Sequence, residues 1–177
     1  MVTEDQRQSL LALARASVAA AVTGAGPVDP GPLVLPQASG VFVTIKRQGQ
    51  LRGCLGTLQV RGGLAAEVIR CAADSALEDP RFPPVEAGEL PDLTLQISVL
   101  GPLERIEPRS ADFIIGLHGL VAEQGMRRGL LLPQVAVEWG WSPEQFLRQT
   151  CVKAGLPPDA WQRGTTIYRF TAEVFGA

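Results

Sequence analysis

Residues 93 to 99 read Leu-Thr-Leu-Gln-Ile-Ser-Val, a strict apolar and polar alternation that suits an extended strand with one buried face. Leu93, Leu95, Ile97 and Val99 point one way, and Thr94, Gln96 and Ser98 the other. Such a strand belongs inside an antiparallel sheet that covers a core on one side only. Two more segments follow the same rule. Val41, Val43 and Ile45 alternate with Phe42, Thr44 and Lys46, and Tyr168, Phe170, Ala172 and Val174 alternate with Arg169, Thr171 and Glu173. Gln48-Gly49-Gln50 supplies a turn after the first of these, and extended character resumes from Leu51 to Leu58, which predicts a β-hairpin. A second hairpin is predicted from residues 117–123 and 128–132 around Gln124-Gly125-Met126, with Gly129 marking a bulge and the apolar second strand central in its sheet.

Helical spacing accounts for much of the rest. Thr3 and Gln6 form a capping-box pair ahead of Leu10, Leu13, Ala14, Val18 and Ala21, a first amphipathic helix of four to five turns. Residues 23–36 hold three glycines and four prolines and read as a surface connector. Leu64, Ala65, Val68, Ile69, Ala72 and Leu77 define a second helix, stopped by Asp79-Pro80-Arg81-Phe82-Pro83-Pro84. Ser142-Pro143-Glu144-Gln145 joins an N-cap, a first-turn proline and a capping-box glutamine, so a further helix runs to Ala154, where Gly155 and Pro157 stop it. Hairpins and helices interleave without a βαβ rhythm. The predicted class is α+β, a mainly antiparallel sheet flanked by helices.

The 177 residues suffice for a hydrophobic core in one domain or two intimately packed subdomains. Cys54, Cys71 and Cys151 cannot all pair within the chain, form no Cys-x-x-Cys motif, and follow no signal-like start, which predicts reduced thiols in a cytoplasm. Every apolar run is broken by charge or proline before it reaches the length of a membrane span. A net charge of −2 gives no reason to expect avid nucleic-acid binding. Lysine is scarce beside arginine, a skew that fits either anion recognition by guanidinium forks or a codon bias.

The blocks Gly40-Val41-Phe42-Val43-Thr44, Leu51-Arg52-Gly53-Cys54-Leu55-Gly56-Thr57-Leu58, Asp79-Pro80-Arg81-Phe82-Pro83-Pro84 and Gly116-Leu117-His118-Gly119-Leu120 stand in that order along the chain. Residues 129–136, followed by Glu138 and Trp139, complete the set. Together they resemble the AMME-region protein family, the A component of the AmmeMemoRadiSam system, over nearly the whole length. Leu55 stands where that family's motif more often has Ile, a volume-conserving difference. The resemblance implies a single family domain of two unequal subdomains, the larger holding both termini, with the hallmark loop near a groove between them. It also implies a modification pathway shared with a Memo-type protein and a radical SAM enzyme, and no specific reaction.

Alternation puts Arg52 and Cys54 on one face of a strand, about 7 Å apart, while Gly53 and Gly56 allow close approach by a backbone or ligand. A guanidinium at that range favours a thiolate, which makes Cys54 a candidate nucleophile. The competing reading makes it a small buried filler. His118, the one histidine, is the candidate proton shuttle for Cys54, or else an imidazole satisfied by a backbone carbonyl. Arg81, in its proline-stiffened loop, is a candidate for anion positioning or for a salt bridge that ties the loop down. Arg127 and Arg128 read as a clamp for an anion or as a solvated turn. Gln134 and Glu138 stand one turn apart if Pro133 opens a helix, and would orient a substrate and accept a proton. The alternative makes Glu138 an end-cap charge, with Trp139 and Trp141 as core anchors. Histidine and cysteine lack metal-site spacing, so neither metal nor cofactor is predicted. Two functions stay open: an enzyme built on Cys54, and a module that binds a peptide or small molecule for partner enzymes.

Overall fold

Thr3 opens the first helix as the sequence predicts: its hydroxyl accepts the Gln6 amide at 3.3 Å, and the Gln6 side chain accepts the Thr3 amide at 2.8 Å. Helix α1 (Glu4–Thr23) carries Glu4 and Asp5 in its first turn, where the helix dipole favours negative charge, and closes on Gly24 in the left-handed region at φ 71°. This computed structural model describes residues 1–109 and 111–176. It divides into two compact units, one holding Met1–Leu100 and the chain's last residues from Glu173 onward, the other Gly101–Ala172.

In the first unit, strand β1 (Gly40–Arg47) lies between β2 (Gln50–Thr57) and β3 (Leu93–Leu100), antiparallel to both. The last residues of β7 (Thr166–Gly176) also belong to this unit, and their strand neighbours β3. Val41, Val43 and Ile45 on β1 are wholly buried, and Leu93, Leu95, Ile97 and Val99 on β3 face the same core. Each aliphatic side chain so covered contributes about 1.5–3 kcal/mol. Helices α1 and α2 (Leu64–Leu77) cover this face, with Leu10, Ala14 and Val18 of α1 turned inward and the Ser17 hydroxyl donating to the Ile69 carbonyl at 2.6 Å. The register shift between Ile45, opposite Gly53, and Lys46, opposite Leu51, leaves Arg52 as the extra residue of a bulge in β2 that the periodicity does not reveal. After α2 comes a 3₁₀ helix at Ala87–Asp92, opened by reciprocal hydrogen bonding between Glu86 and Glu89. The sequence reading leaves it unassigned, because a six-residue turn containing Pro91 has no helical periodicity to read.

In the second unit, β5 (His118–Gln124) pairs with β6 (Arg127–Leu131) on one side and β7 on the other, and β7 also pairs with the short β4 (Glu104–Ile106). This corrects two expectations. The central strand of the second hairpin is its first, β5, with Gly119 to Ala122 buried, whereas β6 lies at the edge. Gly129 forms no bulge: it sits in regular register opposite Ala122, and a Cβ there would lie 2.5 Å from the Ala154 nitrogen. The glycine lets the end of α4 (Pro143–Lys153) rest on β6, and that helix supplies the cover that made the strand look central. Helix α4 has the Ser142 and Gln145 capping box that its sequence announces. Phe146, Leu147 and Cys151 on it meet Leu120, Ala122 and Ile167 in a second core. Pro133 does open a helix, α3 (Pro133–Glu138), so the condition set on Gln134 and Glu138 is met. Trp139 is no core anchor, however. It is 71 % exposed and stacks on Trp141 at 6.2 Å, and of the two only Trp141 packs against the core. The six-residue helix ends before Trp139 and leaves it beyond the packed face.

Candidate functional site

The Leu51-Arg52-Gly53-Cys54-Leu55-Gly56 segment forms most of β2, and its geometry is set by α2 and the loop that follows it. A Cβ on Gly53 would lie 2.0 Å from the Ser75 carbonyl oxygen, so only glycine lets the strand sit this close to α2. On Gly56 a Cβ would meet the Val41 carbonyl at 2.3 Å and the Phe42 ring at 2.4 Å. Both glycines therefore serve close packing within the protein.

Two consecutive amides of the segment point at side chains. Cys54 N–H donates to Asp79 Oδ2 at 2.9 Å, and Leu55 N–H donates to Ser75 Oγ at 2.8 Å. The Ser75 hydroxyl donates in turn to the Val43 carbonyl at 2.8 Å, which bridges the facing residues Val43 and Leu55 of the β1–β2 ladder. Ser75 is fully buried, so this satisfies polar groups that would otherwise be costly to enclose.

Asp79 organises the other side. Its side chain is 2 % exposed and accepts from Arg81 Nη2 at 2.7 Å, Arg81 Nε at 3.0 Å and the Arg81 amide at 3.1 Å, besides the Cys54 amide. The Arg81 guanidinium, foremost, and these amides outweigh the cost of burial and hold its carboxyl far below the usual carboxylate range. Arg81 also donates to the Cys54 carbonyl at 3.3 Å, lies over the Phe82 ring, and leaves 55 % of its side chain exposed. Arg81 is thus salt-bridged, as one of its two readings from sequence has it, and also presented to solvent.

Residue Cys54 is half-buried, and its sulfur lies 3.2 Å from Oγ1 of Thr44, its cross-strand neighbour on β1. Arg52 is committed elsewhere. Its guanidinium makes a two-pronged pair with Glu89 at 2.9 and 3.0 Å and donates to the carbonyls of Pro83 and Pro84. That pairing raises the Arg52 pKa and, with the Glu86 amide, pulls Glu89 down to about 2. The guanidinium hydrogen-bonded to the Cys54 backbone is that of Arg81, where sequence alternation points to Arg52. Arg52 instead helps to line a cavity with Arg47, Phe82 and Glu86.

The remaining candidates lie in the second unit. His118 begins β5, and its Nδ1 accepts the Ile114 amide at 2.9 Å, so its backbone partner is an N–H rather than a carbonyl. Burial, with the nearby Arg169 charge, lowers its pKa below that of a free imidazole. Gln134 and Glu138 occupy the first and last turns of α3, the former half-buried and the latter exposed. Arg128 pairs with Glu123 across the hairpin at 3.2 Å, and Arg127 donates to the Gly155 carbonyl at 2.6 Å, which ties the hairpin to the residues after α4. Cys71 and Cys151 are buried, and burial pushes the Cys71 thiol up to about 11. Among the described residues, no group of three or more His, Cys, Asp or Glu side chains gathers where a metal ion would fit, and no helix is long and apolar enough to cross a membrane.

Asp79, Ser75, Thr44 and Glu89 escape the sequence reading as site residues. Asp79 and Ser75 look like a helix stop and a small helical residue, and nothing local ties Glu89 to Arg52, 37 positions earlier.

Comparison with known proteins places this geometry in a lineage. A family model described as AMMECR1 matches residues 11–175. A protein of Methanothermobacter thermautotrophicus is 43 % identical, over 98 % of this chain and 95 % of its own length. Protein TK0174 of Thermococcus kodakarensis is 44 % identical, over 98 % of this chain and 91 % of its own. The crystal structure of the uncharacterized protein PH0010 from Pyrococcus horikoshii superposes with a TM-score of 0.90 at 40 % identity, covering 99 % of this chain and 93 % of that one.

Proposed function

This chain belongs to the AMMECR1 family, and from that we propose that it is the ligand-holding component of a modification pathway, binding a small molecule or peptide at the surface around Cys54. The pathway partners in this reading are the Memo-type protein and radical SAM enzyme with which the family resemblance associates it, and the setting is a reducing cytoplasm. One observation carries the proposal. The half-buried Cys54 sits on a strand whose two amides at positions 54 and 55 are pinned by Asp79 and Ser75. Arg81, fixed by Asp79, adds a half-exposed cation to the same surface. A site held this firmly loses little entropy when it binds. Asp79 stays ionised and already accepts four hydrogen bonds, so it is poorly placed to relay protons. Gly53 and Gly56 shape the site through packing, and Arg52 braces the loop after α2. Gln134 and Glu138 are proposed as further binding groups on their own unit.

A nucleophilic Cys54 is the second reading, favoured by the Thr44 hydroxyl at 3.2 Å from the sulfur and the Arg81 cation on the Cys54 carbonyl. His118 would then act as proton carrier. Alkylation of the native protein with iodoacetamide across pH, followed by peptide mass spectrometry, separates the readings. Ligand holding predicts that Cys54 reacts in the folded state no faster than a small-molecule thiol under the same conditions, while Cys71 and Cys151 wait for denaturant. Alkylation of Cys54 much faster than that thiol at neutral pH transfers support to the nucleophile. Inertness of Cys54 until unfolding removes both.

A further inference from the structure

Strand β6 has β5 on one side and, among the described residues, no strand on the other. The hairpin that joins the two turns on Gly125 and Met126 and closes with the facing pair Gln124 and Arg127. A two-residue hairpin closes on a hydrogen-bonded pair, and bonded and non-bonded pairs then alternate along the ladder. Gly129 and Leu131 therefore turn their N–H and C=O groups toward β5, whereas Arg128 and Leu130 turn theirs outward. Among the described residues, no hydrogen bond from backbone or side chain reaches the outward amides and carbonyls of Arg128 and Leu130, and both residues are partly exposed.

An open edge is a template for strand addition, and folded proteins blunt their edges with bulges, prolines, charges or covering segments. The outer strand of the first unit is blunted in this way. Arg52 forms a bulge in β2, Asp79 accepts the Cys54 amide, and Arg81 donates to the Cys54 carbonyl. β6 has regular register, no proline and no such cap on its outward groups.

Charge selects the occupant. Arg127 and Arg128 stand on the strand, and Lys153, the last residue of α4, lies where that helix rests on Gly129. The carboxylate facing them across the hairpin, Glu123, is already paired with Arg128. A second copy of this chain added edge to edge would set these cations against their own kind, whereas an acidic strand would complement them.

We propose that β6 takes an extended acidic segment of a partner protein as an added antiparallel strand, hydrogen-bonded through the backbone of Arg128 and Leu130. Facing residues in a ladder share a face, so the added strand sets an apolar side chain against Leu130 and, two positions later, an acidic one against Arg128. A further acid then stands against Arg127. Main-chain bonds supply the affinity and these side chains the selectivity.

The test uses the full chain, labelled with ¹⁵N, and the end-blocked peptide Thr-Val-Thr-Glu-Glu-Thr. In the free protein the Arg128 and Leu130 amides should exchange quickly with solvent, and those of Gly129 and Leu131 slowly. Addition of the peptide should move and protect the Arg128 and Leu130 amides saturably, at a Kd below about 1 mM. Lysines in place of its glutamates should weaken binding by at least about tenfold. N-methylation of its valine, whose N–H faces β6, should do the same, whereas N-methylation of the following threonine, whose N–H faces away, should leave affinity nearly unchanged. Leu130→Pro removes one outward N–H and no ladder bond, and should weaken the peptide with the other amide peaks in place. The methylated peptides decide the matter without altering the protein. Absence of saturation overturns the proposal, as does equal binding by the lysine peptide or by the two methylated ones. Protection of Arg128 and Leu130 without peptide, in a protein that sediments as a dimer, would give the edge to a second copy and overturn it as well.

Discussion

Strands β2 and β6 are the outer strands of the two hairpins, and each is pressed against a helix through one glycine. Gly53 meets α2 at the Ser75 carbonyl, and Gly129 meets the end of α4 at the backbone of Lys153 and Ala154. The packing device is the same, yet the two strands are secured differently. β2 is also stitched by buried polar side chains, with Ser75 on the Leu55 amide and Asp79 on the Cys54 amide. β6 is held at its first two residues by arginines, Arg127 reaching the Gly155 carbonyl and Arg128 pairing with Glu123 across the hairpin. Close packing sets where a strand lies, whereas buried hydrogen bonds to its amides also fix its twist and its side-chain directions. Only the strand that carries the candidate thiol has both.

The largest effects should come from the shared device. Gly53→Ala forces a Cβ into a carbonyl oxygen at 2.0 Å and should cost about 3 kcal/mol or more, or abolish folding. Gly129→Ala, at 2.5 Å from its nearest neighbour, should cost somewhat less. Urea unfolding of the pair checks the order, and the reverse ranking would break the comparison. Asp79→Asn keeps the shape but removes the charge opposite Arg81. It should cost about 2 kcal/mol and raise the alkylation rate of Cys54 by loosening β2. A stability loss with no change at Cys54 would show that Asp79 braces the loop alone.

Glu89→Gln comes next. Its carboxyl is pulled from 4.5 to about 2 in the folded protein, so the stability it contributes is fully present above the unfolded value and drains away as pH falls toward 2. The variant should be weaker by on the order of 1–2 kcal/mol at neutral pH. The two unfolding curves should converge as pH drops through that window, and parallel curves would deny the Arg52 pair its role. Smallest should be Thr44→Val, which removes the hydroxyl beside the Cys54 sulfur: a change below about 1 kcal/mol in stability, read more sensitively as a shift in the pH profile of Cys54 alkylation. An unaltered profile would mean that the 3.2 Å contact does not tune the thiol.

What was legible in the chain was whatever short-range chemistry fixes. The capping boxes at Thr3 and Ser142, the stop at Asp79-Pro80, the alternation through β1, β3 and β7, and the α+β class with its antiparallel sheet all follow from neighbours a few residues apart, whose geometry the backbone dictates. The motif around Cys54 was equally visible as a motif.

Its meaning was not, because it depends on partners distant in sequence. Alternation points Arg52 and Cys54 to one side of a strand, but Arg52 is the extra residue of a bulge, and whether its guanidinium serves the thiol or Glu89 is decided by where the loop after α2 returns. Gly129 looked like a bulge because sequence shows a missing side chain without showing the helix end that needs the space. β6 looked central because an apolar strand covered by a helix has the same composition as one flanked by strands. Hydrophobic pattern records that a residue is covered, and only the tertiary structure records by what.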